Sequence, residues 1–333
     1  MDSLKKFIIK RLLLSTLILF IVSMILYGVM NPMAHRYINQ RAQMLSQKPG
    51  TTESKNEIKA KLQKQYAIED NVIVGYGKWL KKAITFDFGE SWIWNNTDVV
   101  DKFKEVIWNS FFLGLAAFIV QIAVAIPLCI TAARKQYSKT DYAVTVFSLL
   151  GISLPGFFFA SVLKYIFSIK LGWFDLFGAV SRNHDQLSFL GQIGDTAMHY
   201  VLPAITISVL GIGSLMRYTR TNMLEVLNAD YIRTARAKGL AENVVVNKHA
   251  FRNTLIPIVT ILGSSLPGLF SGALVTETLF QIPGIGYTGF QAMTQGDMPF
   301  SMFYLMFMAV LTLAGTLIAD ILYAVVDPRV RVN

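Results

Sequence analysis

The sequence is poor in the residues that most protein chemistry needs. It has one cysteine, Cys129, so it can form neither an intrachain disulfide nor a cysteine metal cluster. Its four histidines, His35, His184, His199 and His249, are scattered, without the i,i+4 spacing and neighbouring carboxylates of a metal site. No stretch matches the phosphate-binding G-x-x-x-x-G-K-[S/T] loop, which excludes nucleotide hydrolysis of that type by this chain. No nucleophile, base and orienting group fall on neighbouring turns, which counts against an intramembrane enzyme. No repeat or low-complexity region is apparent. Charge is scarce as well: only 16% of the residues are Asp, Glu, Lys or Arg.

What is present is apolar. Hydrophobic residues make up 53% of the chain, more than an ordinary globular domain carries. A spanning helix needs about 20 mostly apolar residues. Six segments meet that length: residues 12–30, 110–131, 142–165, 200–217, 255–280 and 303–326. The first follows Lys5, Lys6, Lys10 and Arg11 as a signal peptide would, but its apolar core is too long and no small-x-small cleavage site follows, so it reads as a retained helix. The net charge of +10 would suit nucleic acid or acidic lipid if gathered on one soluble face, but it is spread over loops. Short loops at the N-terminus, at Arg134, Lys135 and Lys139, at residues 217–252 and at Arg329 and Arg331 collect it, whereas 182–195 and 281–299 share a single arginine. The positive-inside rule therefore places both termini in the cytoplasm and residues 31–105 outside. Within that outer segment, residues 53–66 read as a polar helix. Trp79, Phe86, Phe88, Trp92 and Trp94 read equally well as an interfacial belt or as part of a small folded cap.

One basic stretch interrupts the apolar pattern on the cytoplasmic side: residues 230–257, DYIRTARAKGLAENVVVNKHAFRNTLIP. Asp230 is placed to cap a helix and Gly239 to end it in a left-handed conformation. A second helix over 242–253 follows, with Val244, Phe251 and Leu255 on one side, before Pro257 opens the next span. Ala235 and Gly239, four residues apart, leave a flat patch that a partner could approach closely. Arg233, Arg236 and Lys238 around it repel one another unless something acidic lies opposite. Pattern alone leaves two readings, a hairpin in the lipid headgroup layer or a protein-docking surface. A DNA-reading helix-turn-helix is disfavoured by the span at each end, so no nucleic-acid partner is expected.

The fifth apolar segment contains LGSSLPGLFSGALVTETLF. Its small residues, Ser264, Ser265 and Ser271 among them, either pack helices closely or line a wide, weakly binding path. Glu277 either lines that path, sits at the interface or braces the QIPGIG segment that follows. Asp320 is expected to pair with Arg217 or Arg220, and Lys164 to snorkel outward. The pairs Pro155-Gly156 and Pro267-Gly268 hint at broken helices, yet the inverted repeat and midplane charges of an ion-driven secondary transporter are missing.

YIRTARAKGL followed by HAFRNTLIP resembles the EAA loop of ATP-binding-cassette importer permeases, in the form typical of the oligopeptide, dipeptide and nickel branch. FDFGESW, IPLCITAARK, SLPGFFFA, RYTRTNMLEVLNADYIRTARAKGL, TETLFQIPGIG and ADILYAVVDPRVR extend the resemblance from about Phe86 to the C-terminus. The long segment after the first helix and the DPR ending resemble the first of two related permease subunits. Arg233 and Thr234 stand where the general pattern has Glu and Ala, Ala241 where a serine cap is usual, and NPMAHRY lacks the usual PGDP-like sequence. The resemblance implies an all-α membrane protein with six transmembrane helices, of the type I importer permease fold, with an extracellular insertion. In that layout residues 1–30 are the N-terminal helix, 31–106 the outer loop or cap, 107–327 a five-helix core holding the cytoplasmic loop 218–256, and 328–333 the tail. It further implies a prokaryotic plasma-membrane location and, as partners, a second permease, two cytoplasmic ATPase subunits and an external or lipid-anchored peptide-binding protein. ATP and Mg²⁺ would sit in the ATPases, with no cofactor in this chain. Arg233, Ala235, Arg236, Lys238 and Gly239 would form the surface that couples to the ATPase. The cargo would be oligopeptides or dipeptides, with nickel or another small solute as the alternative within the branch and ion-gradient-driven transport as the alternative outside it.

Overall fold

The structure is a computed structural model that describes residues 2–94 and 97–326; side chains at 2–5, 256, 257, 260, 264 and 323–326 lie outside the description. It is helical almost throughout. The chain divides into two compact units, Met1–Ile107 with Thr288–Ala314, and Trp108–Tyr287 with Gly315–Asn333.

In the first unit, α1 runs Asp2–Ser46. At 1.5 Å per residue its 45 residues reach about 67 Å, twice the thickness of a bilayer's hydrocarbon core of about 30 Å. The sequence reading ended this helix at residue 30. It continues because Ala34, Ile38 and Ala42 recur at helical spacing and are fully buried, the last two against Ile58 and Leu62 of α2 (Lys55–Gln65). The polar helix expected over 53–66 is α2. It opens on a reciprocal cap: Ser54 Oγ accepts from the Glu57 amide, and the Glu57 carboxylate accepts from the Ser54 amide at 2.8 Å. Those hydrogen bonds hold the Glu57 carboxyl below its usual range. Asn71 caps α3 (Val72–Ile84) from one side only, its Oδ1 accepting from the Ile73 and Val74 amides, and Gly75 lets α3 pass close to the Tyr27 side chain.

The aromatic residues of this region pack with one another. Trp92 stacks on Tyr37 and meets Tyr66, Trp79 packs on Tyr27 and Tyr76, and Trp94 meets Phe300 edge-on. Phe86 alone of the five stays largely exposed. The buried Asp297 carboxylate, just before α13 (Met298–Val326), accepts from Ser91 Oγ and from the amides of Trp92 and Phe300. Burial pushes its carboxyl upward, against those hydrogen bonds. The first-unit part of α4 (Val99–Arg134) and part of α12 (Ile285–Gln295) complete this body.

In the second unit, α5 (Lys139–Ser153) and α6 (Gly156–Leu163) meet at a 105° bend at the Pro155-Gly156 pair, and α6 continues as a π-helical turn over Lys164–Lys170. Residues 142–165 are therefore a bent pair, not one straight span. α7 (Phe189–Leu227) packs on α5 at two points where only glycine fits. A Cβ at Gly213 would lie 2.6 Å from the Ser148 carbonyl, and one at Gly151 would lie 2.9 Å from the Val209 carbonyl. Arg220 on α7, one of the two arginines expected to pair with Asp320, grips Asp141 on α5 with two bonds of 2.8 Å. Lys164 does not snorkel free: its ammonium lies 4.0 Å over the Phe177 ring and donates to the Leu279 carbonyl.

After α7 come α8 (Asp230–Ala237), α9 (Glu242–Val244), a π-helical turn over Val245–Ala250, and α10 (Phe251–Ser265). The inward side of the second helix is Val245, Val246 and Ala250, with Phe251 of the face read from the sequence packed against them, while Val244 of that face is left exposed beside the π turn. The expected span 255–280 is interrupted: α10 gives way to a 3₁₀ turn, Leu266–Phe270, then to Gly272 at φ +73°, before α11 (Leu274–Phe280). Pro267 removes one backbone donor there and Gly272 turns the chain. Among the described residues four helices, α1, α4, α7 and α13, are long and apolar enough to cross a membrane, and a fifth if α5 and α6 count as one.

Candidate functional site

The basic stretch folds as a helical hairpin held to its own chain. Ala229, not Asp230, occupies the N-cap of α8 and gives no side-chain bond; Asp230 is in the first turn. α8 is short, so packing must hold it. Ile232 and Ala235 are buried against Cys129 and Ala133 at the end of α4, Met223 and Leu227 at the end of α7, and Val245, Val246 and Ala250. Ala235 thus faces inward and does not form the open flat patch with Gly239 that the sequence suggested. Gly239 ends the helix at φ +78°, its amide donating to the Arg236 carbonyl, and a Cβ there would meet nothing within 4 Å.

The acids that the three cations need are partly in the hairpin itself. Arg236 clasps Glu242 through Nε at 3.1 Å and Nη2 at 2.8 Å. That clasp holds the Glu242 carboxyl below its usual range and raises Arg236. Arg233 reaches Asp230 only at 3.6 Å, with both side chains mostly exposed, so this pair adds little. Arg134 at the end of α4 donates to Asn243 at 3.0 Å and ties α9 down. The outward surface left over carries Arg233, Lys238 and Gly239 together with Tyr231 and Leu240, both substantially exposed. Tyr231 and Leu240 went unnoticed in the sequence, although two large apolar side chains flanking a basic turn are themselves a signal of a contact surface.

The four intramembrane candidates separate. Ser264 lies outside the described side chains. Ser265 Oγ donates to the Leu262 carbonyl and Ser271 Oγ to the Gly268 carbonyl, each satisfying its own turn. Glu277 is fully buried. It accepts from Ser110 Oγ at 2.7 Å, the Ala273 amide at 3.0 Å and the Tyr287 amide at 2.8 Å, while Ser110 Oγ accepts from the Ile285 amide. A Cβ at Gly284 would lie 2.5 Å from this carboxylate and one at Gly272 2.6 Å from the Gly286 amide nitrogen, while one at Gly286 would press on the carboxylate at 3.1 Å. Of the three roles open to Glu277, the geometry is that of a brace: it knots the chain from Gly272 to Tyr287 onto α4.

Two histidines that the sequence left unconnected meet on one carboxylate. His184 Nδ1 lies 2.7 Å from Asp195, and His199, nearly buried, lies between Asp195 and Asp175. With the Ser181 amide also on Asp195, this cluster pins the loop before α7 to the helix. Among the described residues no group of three or more His, Cys, Asp or Glu is arranged to hold a metal.

Comparison with known proteins follows the same lines. The oligopeptide transport system permease protein AppB of Bacillus subtilis is 40% identical over 267 residues, covering 80% of this chain and 83% of AppB. The oligopeptide permease OppB of Haemophilus influenzae is 32% identical over 83% of this chain and 86% of its own. The dipeptide permease DppB of B. subtilis is 33% identical over 85% and 86%. A solved chain of the MetNI methionine transporter, in an inward-facing conformation, superposes with a TM-score of 0.52 at 14% identity, over 68% of this chain and 97% of that one, which establishes a shared fold. Residues 125–332, from the last turns of α4 through the hairpin and the Glu277 knot, match one family, and the chain belongs to it: the inner membrane components of binding-protein-dependent transport systems.

Proposed function

We propose that the chain is the first of two permease subunits in an importer that carries oligopeptides or dipeptides, with α8 as its coupling helix. The family consists of membrane subunits of ATP-driven importers, which work with ATPases, a companion permease and a binding protein. The peptide cargo is supported by the relatives named above, several of which are named for it. In this reading the companion is a related but distinct permease, two cytoplasmic ATPases bind ATP and Mg²⁺, and both termini face the cytoplasm. Arg233, Arg236, Lys238 and Gly239 meet the ATPase, Ala235 braces them from behind, and Ser264, Ser265 and Ser271 lie along the path.

One observation carries the coupling role. α8 is seated on the ends of α4 and α7 at once. A push on it is delivered to two long helices as a rigid-body displacement, where an unbraced loop would absorb it. Proteoliposomes holding the assembled transporter and its binding protein are expected to accumulate a labelled tripeptide only with ATP. Accumulation by this chain alone, driven by a proton or sodium gradient, would overturn the assignment.

A further inference from the structure

The stretch VIVGYGKWLKKAITFDF, residues 72–88, has no part in the coupling account, yet the first unit is organised around it. On one side of α3 lies an apolar groove of about 840 Å³, walled by Phe20 of α1, Leu80 and Ala83 of α3, and Phe303 and Phe307 of α13. On the other lies a cleft of about 490 Å³ lined by Lys78, Lys81 and Lys82 beside aromatic rings. The two adjoin, because Trp79 and Phe88 wall both of them.

Their positions along the helices match a membrane's own gradient of polarity. The groove follows α1 from Thr16 to Ser23 and α13 from Phe303 to Val310, within two helices apolar enough to cross a bilayer. The lysine cleft sits where α13 begins, at Met298 and Pro299. Ile73, Ile84 and Phe86 are left strongly exposed along α3 and just after it, as on a helix lying in an interface. Two of the three lysines have acidic neighbours, Lys78 with Glu69 and Lys82 with Asp87 at 3.5 Å, but both pairs are exposed and hold little energy. Lys81 has no acidic partner among the described residues. An apolar slot joined through a tryptophan to a cationic mouth has the shape and charge of one kind of molecule. We propose that this is a specific site for an anionic diacyl phospholipid, its acyl chain in the groove between α1, α3 and α13 and its phosphate on Lys78, Lys81 and Lys82.

The test uses the full chain in the assembled transporter, in micelles containing equal phosphatidylglycerol and phosphatidylcholine. Native mass spectrometry is expected to find one phosphatidylglycerol retained per copy of this chain, at least tenfold in preference to phosphatidylcholine. K78Q/K81Q/K82Q is expected to abolish the preference while leaving the melting temperature in lipid-free detergent unchanged. A83W, which fills the groove, is expected to reduce retention of both lipids. A phosphatidylglycerol with a photoreactive acyl chain is expected to label the peptides containing Leu80 or Phe307. Equal retention of the two lipids by the native chain, a preference untouched by the lysine changes, labelling elsewhere, or a copurified polypeptide occupying the lysine cleft would each overturn the proposal.

Discussion

Replacing Glu277 by glutamine is expected to weaken the fold and leave the choice of peptide alone. Each oxygen of the carboxylate accepts from a backbone amide, Ala273 on one and Tyr287 on the other. A glutamine side chain can match only one of them, since its NH₂ group must point at the second N–H. A buried donor without an acceptor costs about 1–3 kcal/mol. Glu277→Ala orphans both amides and the Ser110 hydroxyl, so its loss is expected to be larger, on the order of 3 kcal/mol or more. The purified transporter should melt at a lower temperature with either variant, the more so with alanine, and uptake of different peptides should fall in the same proportion. Undiminished melting together with a change confined to some peptides would place Glu277 on the path instead.

The second large effect concerns Gly239. Valine there is expected to insert into the membrane normally yet to cut ATP-driven uptake at least tenfold, with the ATPase no longer copurifying. Two causes could produce that loss, and they can be told apart. A β-branched residue at φ +78° strains the backbone by about 1–2 kcal/mol. A side chain at this position also projects into space that is empty in the isolated chain, where a docked partner would be. Asparagine tolerates the left-handed conformation but keeps the bulk. If docking is what matters, Gly239→Asn fails as Gly239→Val does; wild-type uptake with asparagine would assign the defect to strain alone.

How much of this was legible in the sequence depends on whether the signal was local. The polar run 53–66 marked α2 to within two residues, and Gly239 marked the end of α8, because composition and a left-handed turn are decided by a few neighbouring residues. The breaks at Pro155-Gly156 and Leu266–Phe270 had the same kind of marker. The extension of α1 was readable from Ala34, Ile38 and Ala42 but hidden behind Pro32, which mimics a helix end. Ala235 was misjudged because spacing gives a face without saying whether the chain itself covers it. Contacts between distant residues were out of reach. Asp141 with Arg220, Asp297 with Ser91, and Glu277 with Ser110 have no periodicity that a single sequence could reveal. The choice between brace and path for Glu277 needed the geometry.

The account rests on α8 meeting an ATPase inside the cell, and a single thiol can test that contact. The native Cys129 is fully buried beneath the hairpin, so a cysteine at Lys238, on the exposed turn, is the one accessible reporter. In membrane vesicles of the assembled transporter, Lys238→Cys is expected to cross-link to an ATPase subunit, with a yield that changes when ATP is added. It should also resist a membrane-impermeant thiol reagent applied to intact cells. Labelling from outside the cell, or a thiol that reaches no protein partner with or without nucleotide, would contradict the account.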